Sequence, residues 1–266
     1  MPPKTQTALI TGASAGLGYE FAHLFARDKY NLVLVARSGP KLAQLAEKLR
    51  AEHGISVKTI PLDLGLPHAA QNLFDETQRA GLAIDILVNN AGYGYSGNFV
   101  DIPVEESYGQ IQLNILALTL LTRLYLPPMI ERESGRILNV ASTAAFQAGP
   151  LMAVYYATKA YVLSFSEALA NELDGTGVTV TALCPGPTRT EFGKAAGMLE
   201  TRLFRSPLVK DARWVAEAGY RGTKRGRRVV IPGLGNWILA EAVRFTPRWL
   251  VTAVSRAVQE SRRERR

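Results

Sequence analysis

Cysteine is almost absent: Cys184 stands alone among 266 residues, so no internal disulfide can form and the thiol content does not point to an oxidising compartment. It lies at the end of an apolar run and reads as a buried, inert thiol. Histidine is nearly as scarce. His23, His53 and His68 show no metal-ligand spacing along the chain, and no metal is expected. The N-terminus lacks room for a charged segment followed by an apolar one, because an apolar strand begins near Thr7 and a glycine loop follows it directly; no cleaved signal is inferred. Long unbroken hydrophobic runs are missing too. Residues 111–126 are interrupted by Arg123, and residues 237–254 by Glu241, Arg244 and Arg248, so neither reads as a membrane span. These absences together lead to the expectation of a cytoplasmic protein, held at most peripherally on a membrane.

Excess positive charge is also lacking over most of the chain. Residues 1–201 carry 15 Lys and Arg against 18 Asp and Glu, whereas residues 202–266 carry 16 against 5, so the net +8 belongs to the last quarter. Such a patch suits an anionic surface, although no nucleic-acid motif accompanies it and nucleic acid is not an expected partner.

Short β-branched runs alternate with amphipathic stretches. Strands are predicted at 7–10, 31–35, 56–62, 84–88, 136–140, 178–183 and 228–231, and helices at 17–27, 41–52, 68–79, 104–126, 154–173 and 212–224. This alternation predicts an α/β fold, a doubly wound seven-stranded parallel sheet covered on both faces, in a single domain over residues 1–233. Within it, residues 187–212 have little periodicity and fall where a substrate lid would. Residues 234–266 form a basic helical extension, in which Trp249, Leu250, Ala253, Val254, Ala257 and Val258 recur at helical spacing opposite Arg256 and Gln259. That amphipathic helix either packs on the domain or a partner subunit, or rests on anionic headgroups.

The loop after the first strand reads Thr11-Gly12-Ala13-Ser14-Ala15-Gly16-Leu17-Gly18 and opens a helix. Glycines there let the backbone approach a pyrophosphate, and the helix N-terminus offers it unpaired N–H groups. The second strand ends on Ala36-Arg37. An acidic residue at this place would bind a ribose diol; a guanidinium instead grips a 2′-phosphate, which favours NADP(H) over NAD(H). Asp63, followed by Leu64 at the end of the third strand, either accepts a hydrogen bond from the adenine amino group or caps the next helix.

Tyr155 and Lys159 stand four residues apart on one predicted helix and leave the same face one turn apart. An ammonium beside a phenol favours the phenolate, so this pair is expected to move protons nearer neutral pH than a free tyrosine. Ser142 lies thirteen residues upstream, at the end of an apolar strand.

Taken together, TGASAGLG at 11–18, NNAG at 89–92, Asn114, Ser142, YYATK at 155–159 and PGPTRT at 185–190 resemble the classical short-chain dehydrogenase/reductase family over about residues 5–233. The resemblance implies a Rossmann-like domain that interconverts an alcohol and a ketone or aldehyde with NADP(H). It implies that Tyr155 exchanges the proton with the substrate oxygen, that Lys159 tunes Tyr155 and holds the nicotinamide ribose, and that Ser142 hydrogen-bonds the substrate oxygen. Asn114 would distort its helix and hold a water linking the lysine to solvent. Asn90, Ala91 and Gly92 would border the cofactor, and Pro185, Gly186, Thr188 and Thr190 would pass beside the nicotinamide.

Positions next to these motifs nominate Tyr93, Phe146, Gly149, Leu151, Met152 and Phe192 as a substrate wall. Its apolar, aromatic character suits a small hydrophobic carbonyl or alcohol, and a membrane-surface reductase of 3-oxoacyl or steroid-like lipids is the alternative. A non-enzymatic cofactor sensor or scaffold built on the same fold is disfavoured, because Tyr155, Lys159, Ser142 and Asn114 are all kept. Members of the family associate through the helices bearing Asn114 and Tyr155, so a homo-dimer or homo-tetramer is expected.

Overall fold

The computed structural model describes residues 5–195 and 209–260. In chain order the elements are β1 (Thr7–Thr11), α1 (Gly16–Arg27), β2 (Asn31–Ala36), α2 (Gly39–His53), β3 (Val57–Pro61), α3 (Ala69–Arg79), β4 (Ile86–Asn89), α4 (Val104–Ile111), α5 (Leu118–Glu131), β5 (Gly135–Val140), α6 (Ala153–Glu172) and β6 (Val178–Leu183). After these come β7 (Thr188–Arg189), α7 (Glu191–Ala195), β8 (Lys210–Asp211), α8 (Ala212–Lys224), β9 (Val229–Val230), α9 (Leu234–Ala242) and α10 (Arg248–Gln259).

Seven strands form one parallel sheet in the order β3-β2-β1-β4-β5-β6-β9. Strands β1, β2, β4 and β5 are apolar and buried nearly throughout, as a sheet covered on both faces requires. On one face Phe21, Phe25, Leu42, Leu49 and Tyr220 pack from α1, α2 and α8. On the other, Leu73, Leu121, Tyr125 and Met129 pack from α3 and α5. The strand order reverses between β1 and β4, and in such sheets a ligand crevice opens outside the carboxyl ends at that reversal.

Four differences from the predicted elements have physical reasons. Asn114 lies in a π-helical turn, Gln112–Ala117, that joins α4 to α5. The helix then runs to Glu131, through Pro127 and Pro128, instead of stopping at residue 126; two lost backbone bonds are outweighed by the burial of Tyr125 and Met129 on either side. Residues 104–131 are long and apolar enough to span a membrane, and their Asn114 and Thr122 bind polar partners inside the domain. Of the predicted lid, residues 196–208 lie outside the described residues, while β7 and β8 pair to close its base.

The fourth difference is in the extension. Among the described residues it holds two α-helices rather than one, separated by a short 3-10 turn and Pro247. Helix α10 packs through Ser255 and Gln259, the latter 3% exposed, and turns Trp249, Leu250, Ala253 and Val254 outward. The Gln259 amide donates to the buried Tyr156 hydroxyl at 2.9 Å, which fixes that orientation.

Candidate active site

The glycine loop is built from two left-handed residues and one close approach. Gly12 and Gly16 have φ of +65° and +56°, a region costly for any side chain. A Cβ on Gly18 would stand 2.2 Å from the Gly12 carbonyl oxygen. Ala15 is the N-cap of helix α1 and its side chain makes no capping bond, so the first N–H groups of α1 lack that partner. The loop is held from beneath: the Asn90 amide donates to the Thr11 carbonyl at 2.8 Å, and Thr11 Oγ1 accepts from the Asn90 and Ala91 backbone N–H groups at 2.9 and 3.0 Å. Asn90 and Ala91 thus shape the cradle as well as bordering it. Ser14 and Leu17 are half-buried on the loop.

Arg37 is exposed at the end of β2 and makes no ion pair among the described residues. Asp63 Oδ1 accepts the Gly65 N–H at 2.9 Å in a local turn and does not cap α3, whose N-cap is His68; Leu64 beside it is buried. The Tyr93 hydroxyl donates to the Glu106 carbonyl at 3.3 Å, and its pKa is raised to about 12, chiefly by burial.

Across the crevice, Thr190 brings its Cβ and methyl to 3.3 Å from where a Cβ on Gly16 would lie. Thr188 is buried, and its hydroxyl donates to the Gly186 carbonyl at 2.9 Å, stiffening the Pro185–Thr190 turn after β6. These features pass a test of fit for a dinucleotide: donor-rich helix end, glycines that leave backbone exposed, and a polar turn opposite them.

The proton-handling groups converge above β4, β5 and β6. Ser142 follows β5, where its Oγ accepts from the Ala144 N–H at 3.1 Å and lies 3.4 Å from the Pro185 carbonyl. Tyr155 and Lys159 leave the first two turns of α6, and both are buried. The Lys159 Nζ donates to the Val140 carbonyl at 2.7 Å and stands 5.8 Å from the Tyr155 ring centre. Burial pushes the Tyr155 phenol above its ordinary range, opposed only by a hydrogen bond from Ser142, and pulls Lys159 down to about 8. Burial sets the direction for both groups, and the Lys159 ammonium is turned to the Val140 carbonyl.

Asn114 is fully engaged. Its Oδ1 accepts the Tyr93 N–H at 3.0 Å, and its Nδ2 donates to the Tyr93 carbonyl at 2.9 Å and to Thr158 Oγ1 at 3.1 Å. The π turn swings this side chain across to α6, a use typical of such bulges. Gly92 sits beside it, where a Cβ would come within 2.9 Å of Asn114 Oδ1 and 3.6 Å of Lys159 Nζ.

The wall over Tyr155 comes from separate segments. Phe192 lies with its ring centre 5.3 Å from that of Tyr155, and Met152, Ala144 and Tyr156 pack around the pair. Leu151 has φ of +67°, an uncommon strain for a leucine, and its carbonyl holds the Gly97 N–H at 2.8 Å. Gly149 is required by the Tyr156 ring, which a Cβ would meet at 2.3 Å. Phe146 ends the short 3-10 turn after Ser142 and is half-buried.

The residue pattern missed several supports. Gly94 allows Tyr155 and Met152 to approach, Asn236 of α9 lies against Gly186, and Asn89, Asn139, Thr122 and Ser166 form a buried chain that ties α5 and α6 to the sheet. Three histidine and glutamate groups also meet unexpectedly. His23, Glu52 and His53 bring ligand atoms within 4.8 Å of one another, at the end of α2 remote from the crevice, but Lys48 and Arg213 add positive charge there and disfavour a cation.

A short chain dehydrogenase family model matches residues 6–198. The chain belongs to this family. Among curated relatives, it is 36% identical to a ketoacyl reductase of Nostoc over 77% of this chain and 74% of that one. It is 31% identical to the human very-long-chain 3-oxoacyl-CoA reductase, over 91% and 80%. Among solved structures it resembles a short-chain dehydrogenase from Sphingobium yanoikuyae in complex with NADPH, at 36% identity and a TM-score of 0.81, covering 90% of this chain and 94% of that one. A bulky-bulky ketone specific alcohol dehydrogenase from Comamonas testosteroni matches at 33% identity and a TM-score of 0.77, covering 90% and 92%. This short-chain dehydrogenase is therefore an oxidoreductase, and its fold is that of its family.

Proposed function

We propose that the enzyme reduces the ketone of a hydrophobic substrate with NADPH, the reverse oxidation being the same chemistry run backward. The observation that carries this reading is the meeting of Ser142, Tyr155 and Lys159 under an apolar cover of Phe192 and Met152, opposite the glycine loop. The loop backbone, with Asn90 beneath it, would hold the pyrophosphate. Arg37 would hold the 2′-phosphate, Lys159 the nicotinamide ribose, and Thr188 and Thr190 the carboxamide side. When bound, the nicotinamide supplies the hydride.

The chain's own residues supply the rest. A phenol is protonated at neutral pH, and Tyr155, placed beside Ser142, is positioned to give its proton to a carbonyl oxygen that is gaining charge. Ser142 donates to that same oxygen and steadies it, worth about 2–4 kcal/mol where such donors have been removed elsewhere. The nearby Lys159 charge stabilises the phenolate left behind, and Phe192 and Met152 exclude water.

The NADPH preference rests on exposed, unpaired Arg37 after apolar Ala36, and the NADPH-bound relative is consistent with it. A 3-oxoacyl thioester is the second substrate reading, favoured by the alignment along 91% of the chain with a 3-oxoacyl-CoA reductase. Self-association across the exposed faces of α4–α6, where Tyr108, Ile111, Leu116, Leu120 and Tyr161 are uncovered, and a cytoplasmic setting complete the proposal. A panel of bulky ketones and 3-oxoacyl thioesters, followed at the nicotinamide absorbance with NADPH and NADH in parallel, tests it. Turnover with NADPH should exceed that with NADH, and Arg37→Ala should shrink the ratio at least tenfold; equal use of both cofactors by the unaltered enzyme contradicts the Arg37 assignment.

A further inference from the structure

The extension packs on the domain with polar residues among its most buried positions and leaves its largest apolar ones uncovered, unlike a buried amphipathic helix. Ser255 and Gln259 of α10, and Asn236 and Ala240 of α9, are the buried positions. Gln259 is anchored to Tyr156, and Asn236 donates to the Pro232 carbonyl at 2.9 Å. Outward from the same two helices stand Trp237, Ile238 and Leu239, then Phe245 in the turn, then Trp249 and Val254. Phe245 is 88% exposed and Trp249 73%. Isolated exposed apolar side chains are ordinary, but a run of them on consecutive elements marks a surface that meets something.

Charge identifies the occupant. Arg244 and Arg256 are more than half exposed, and Arg248 is exposed between Phe245 and Trp249. Arg244 pairs with Glu241 and Arg256 with Glu260, each pair on its own helical stretch and half open to solvent. The sequence after Glu260 adds four arginines against one glutamate. A second copy docking this patch on itself across a two-fold axis would set like guanidinium groups against one another. An anionic bilayer instead accepts both components: tryptophan, phenylalanine and leucine enter the headgroup boundary while arginines meet lipid phosphates.

We propose that α9, the turn at Phe245 and α10 form a docking face for anionic phospholipid bilayers, on which the enzyme rests with its catalytic domain held above the surface. The aromatic and apolar residues give the partitioning, and the arginines select the lipid charge. This goes beyond the catalytic reading and does not depend on it, since binding is read without turnover.

The test is co-sedimentation of the full chain with sucrose-loaded vesicles, either phosphatidylcholine alone or phosphatidylcholine with about one-third phosphatidylglycerol. The unaltered protein should pellet with the anionic vesicles and stay largely soluble with the neutral ones, and raising the salt should weaken binding. Phe245→Glu with Trp249→Glu should reduce the anionic-vesicle partition coefficient at least tenfold while thermal midpoint and ketone reduction stay unchanged. Arg244→Gln with Arg248→Gln should reduce it about thirtyfold, on the usual gain per basic residue near such a surface. Absence of pelleting with both vesicle types overturns the proposal, as does pelleting that both double variants leave intact. Lipid-free self-association that Phe245→Glu with Trp249→Glu abolishes would also overturn it, and would assign the face to a second copy.

Discussion

Replacing Gly18 with alanine isolates the cradle from the chemistry. The added methyl would lie 2.2 Å from the Gly12 carbonyl oxygen and 2.6 Å from the Asn90 Nδ2, against ordinary contacts that begin at 3.4 Å. Neither neighbour yields cheaply. The Gly12 oxygen is backbone in a left-handed turn, and the Asn90 amide is committed to the Thr11 carbonyl. Such overpacking costs about 1–3 kcal/mol. Alanine's better helix propensity returns at most about 1 kcal/mol, and less in the first turn of α1. The net loss is about 1–2 kcal/mol, which lowers the unfolding midpoint by roughly 2–8 °C for a domain of this size. The effect on NADPH should be larger than on stability, because relieving the overlap moves the Gly12 backbone that faces the pyrophosphate. A tenfold or greater rise in Kd corresponds to about 1.4 kcal/mol or more of lost binding. Differential scanning calorimetry gives the first quantity and NADPH fluorescence titration the second. Gly39→Ala is the control for stability: its nearest neighbour, the exposed Pro61 Cγ at the end of β3, is 3.3 Å away, so the midpoint should reflect a change within about 0.5 kcal/mol. A Gly18→Ala protein with unchanged midpoint and unchanged NADPH affinity would refute the reasoning about the loop.

Two further outcomes follow from contacts remote from the cradle. Asp28 is held at about 2: burial works to raise it, but hydrogen bonds from Tyr220, Arg27 and Lys224 outweigh that. Its contribution is therefore fully present above about pH 4, the unfolded value, and is lost as pH falls through the folded value near 2. Asp28→Asn should cost roughly 1 kcal/mol at pH 7, as expected for a partly exposed ionic cluster, and should flatten the stability loss between those pH values in urea titrations. Asn139→Ala removes the centre of the buried chain from Asn89 to Ser166 and leaves Asn89 Nδ2 with one partner fewer, so a loss of about 2–4 kcal/mol is expected from chemical denaturation, with no change in cofactor preference.

The sheet was legible because its strands are short apolar runs separated by amphipathic ones. All seven strands and their parallel sense follow from that rhythm, whereas the order, with the chain crossing from β3 at one edge to β4 beside β1, does not. The glycine loop, Tyr155, Lys159 and Ser142 were legible for a related reason: each depends on spacing within one turn or on the end of one strand. What escaped depends on partners far apart in the chain. Gln259 meets Tyr156 across 103 residues, and that contact decides which side of α10 faces inward. Hydropathy alone would turn Trp249 and Val254 toward the domain. Similarly, nothing near Asn236 announces that it lies on Gly186, and no local signal turns Tyr93 toward Glu106. Spacing reports a neighbour's charge but not the depth at which Tyr155 and Lys159 are both buried.

The central claim is that Tyr155 delivers the proton while the cradle independently holds the dinucleotide, and Tyr155→Phe tests it most directly. Single-turnover reduction of a bulky ketone should slow by about 10²–10⁴-fold, the usual contribution of a positioned acid, with NADPH Kd within about threefold of the unaltered enzyme. A Tyr155→Phe enzyme that turns over at the full rate would contradict the account.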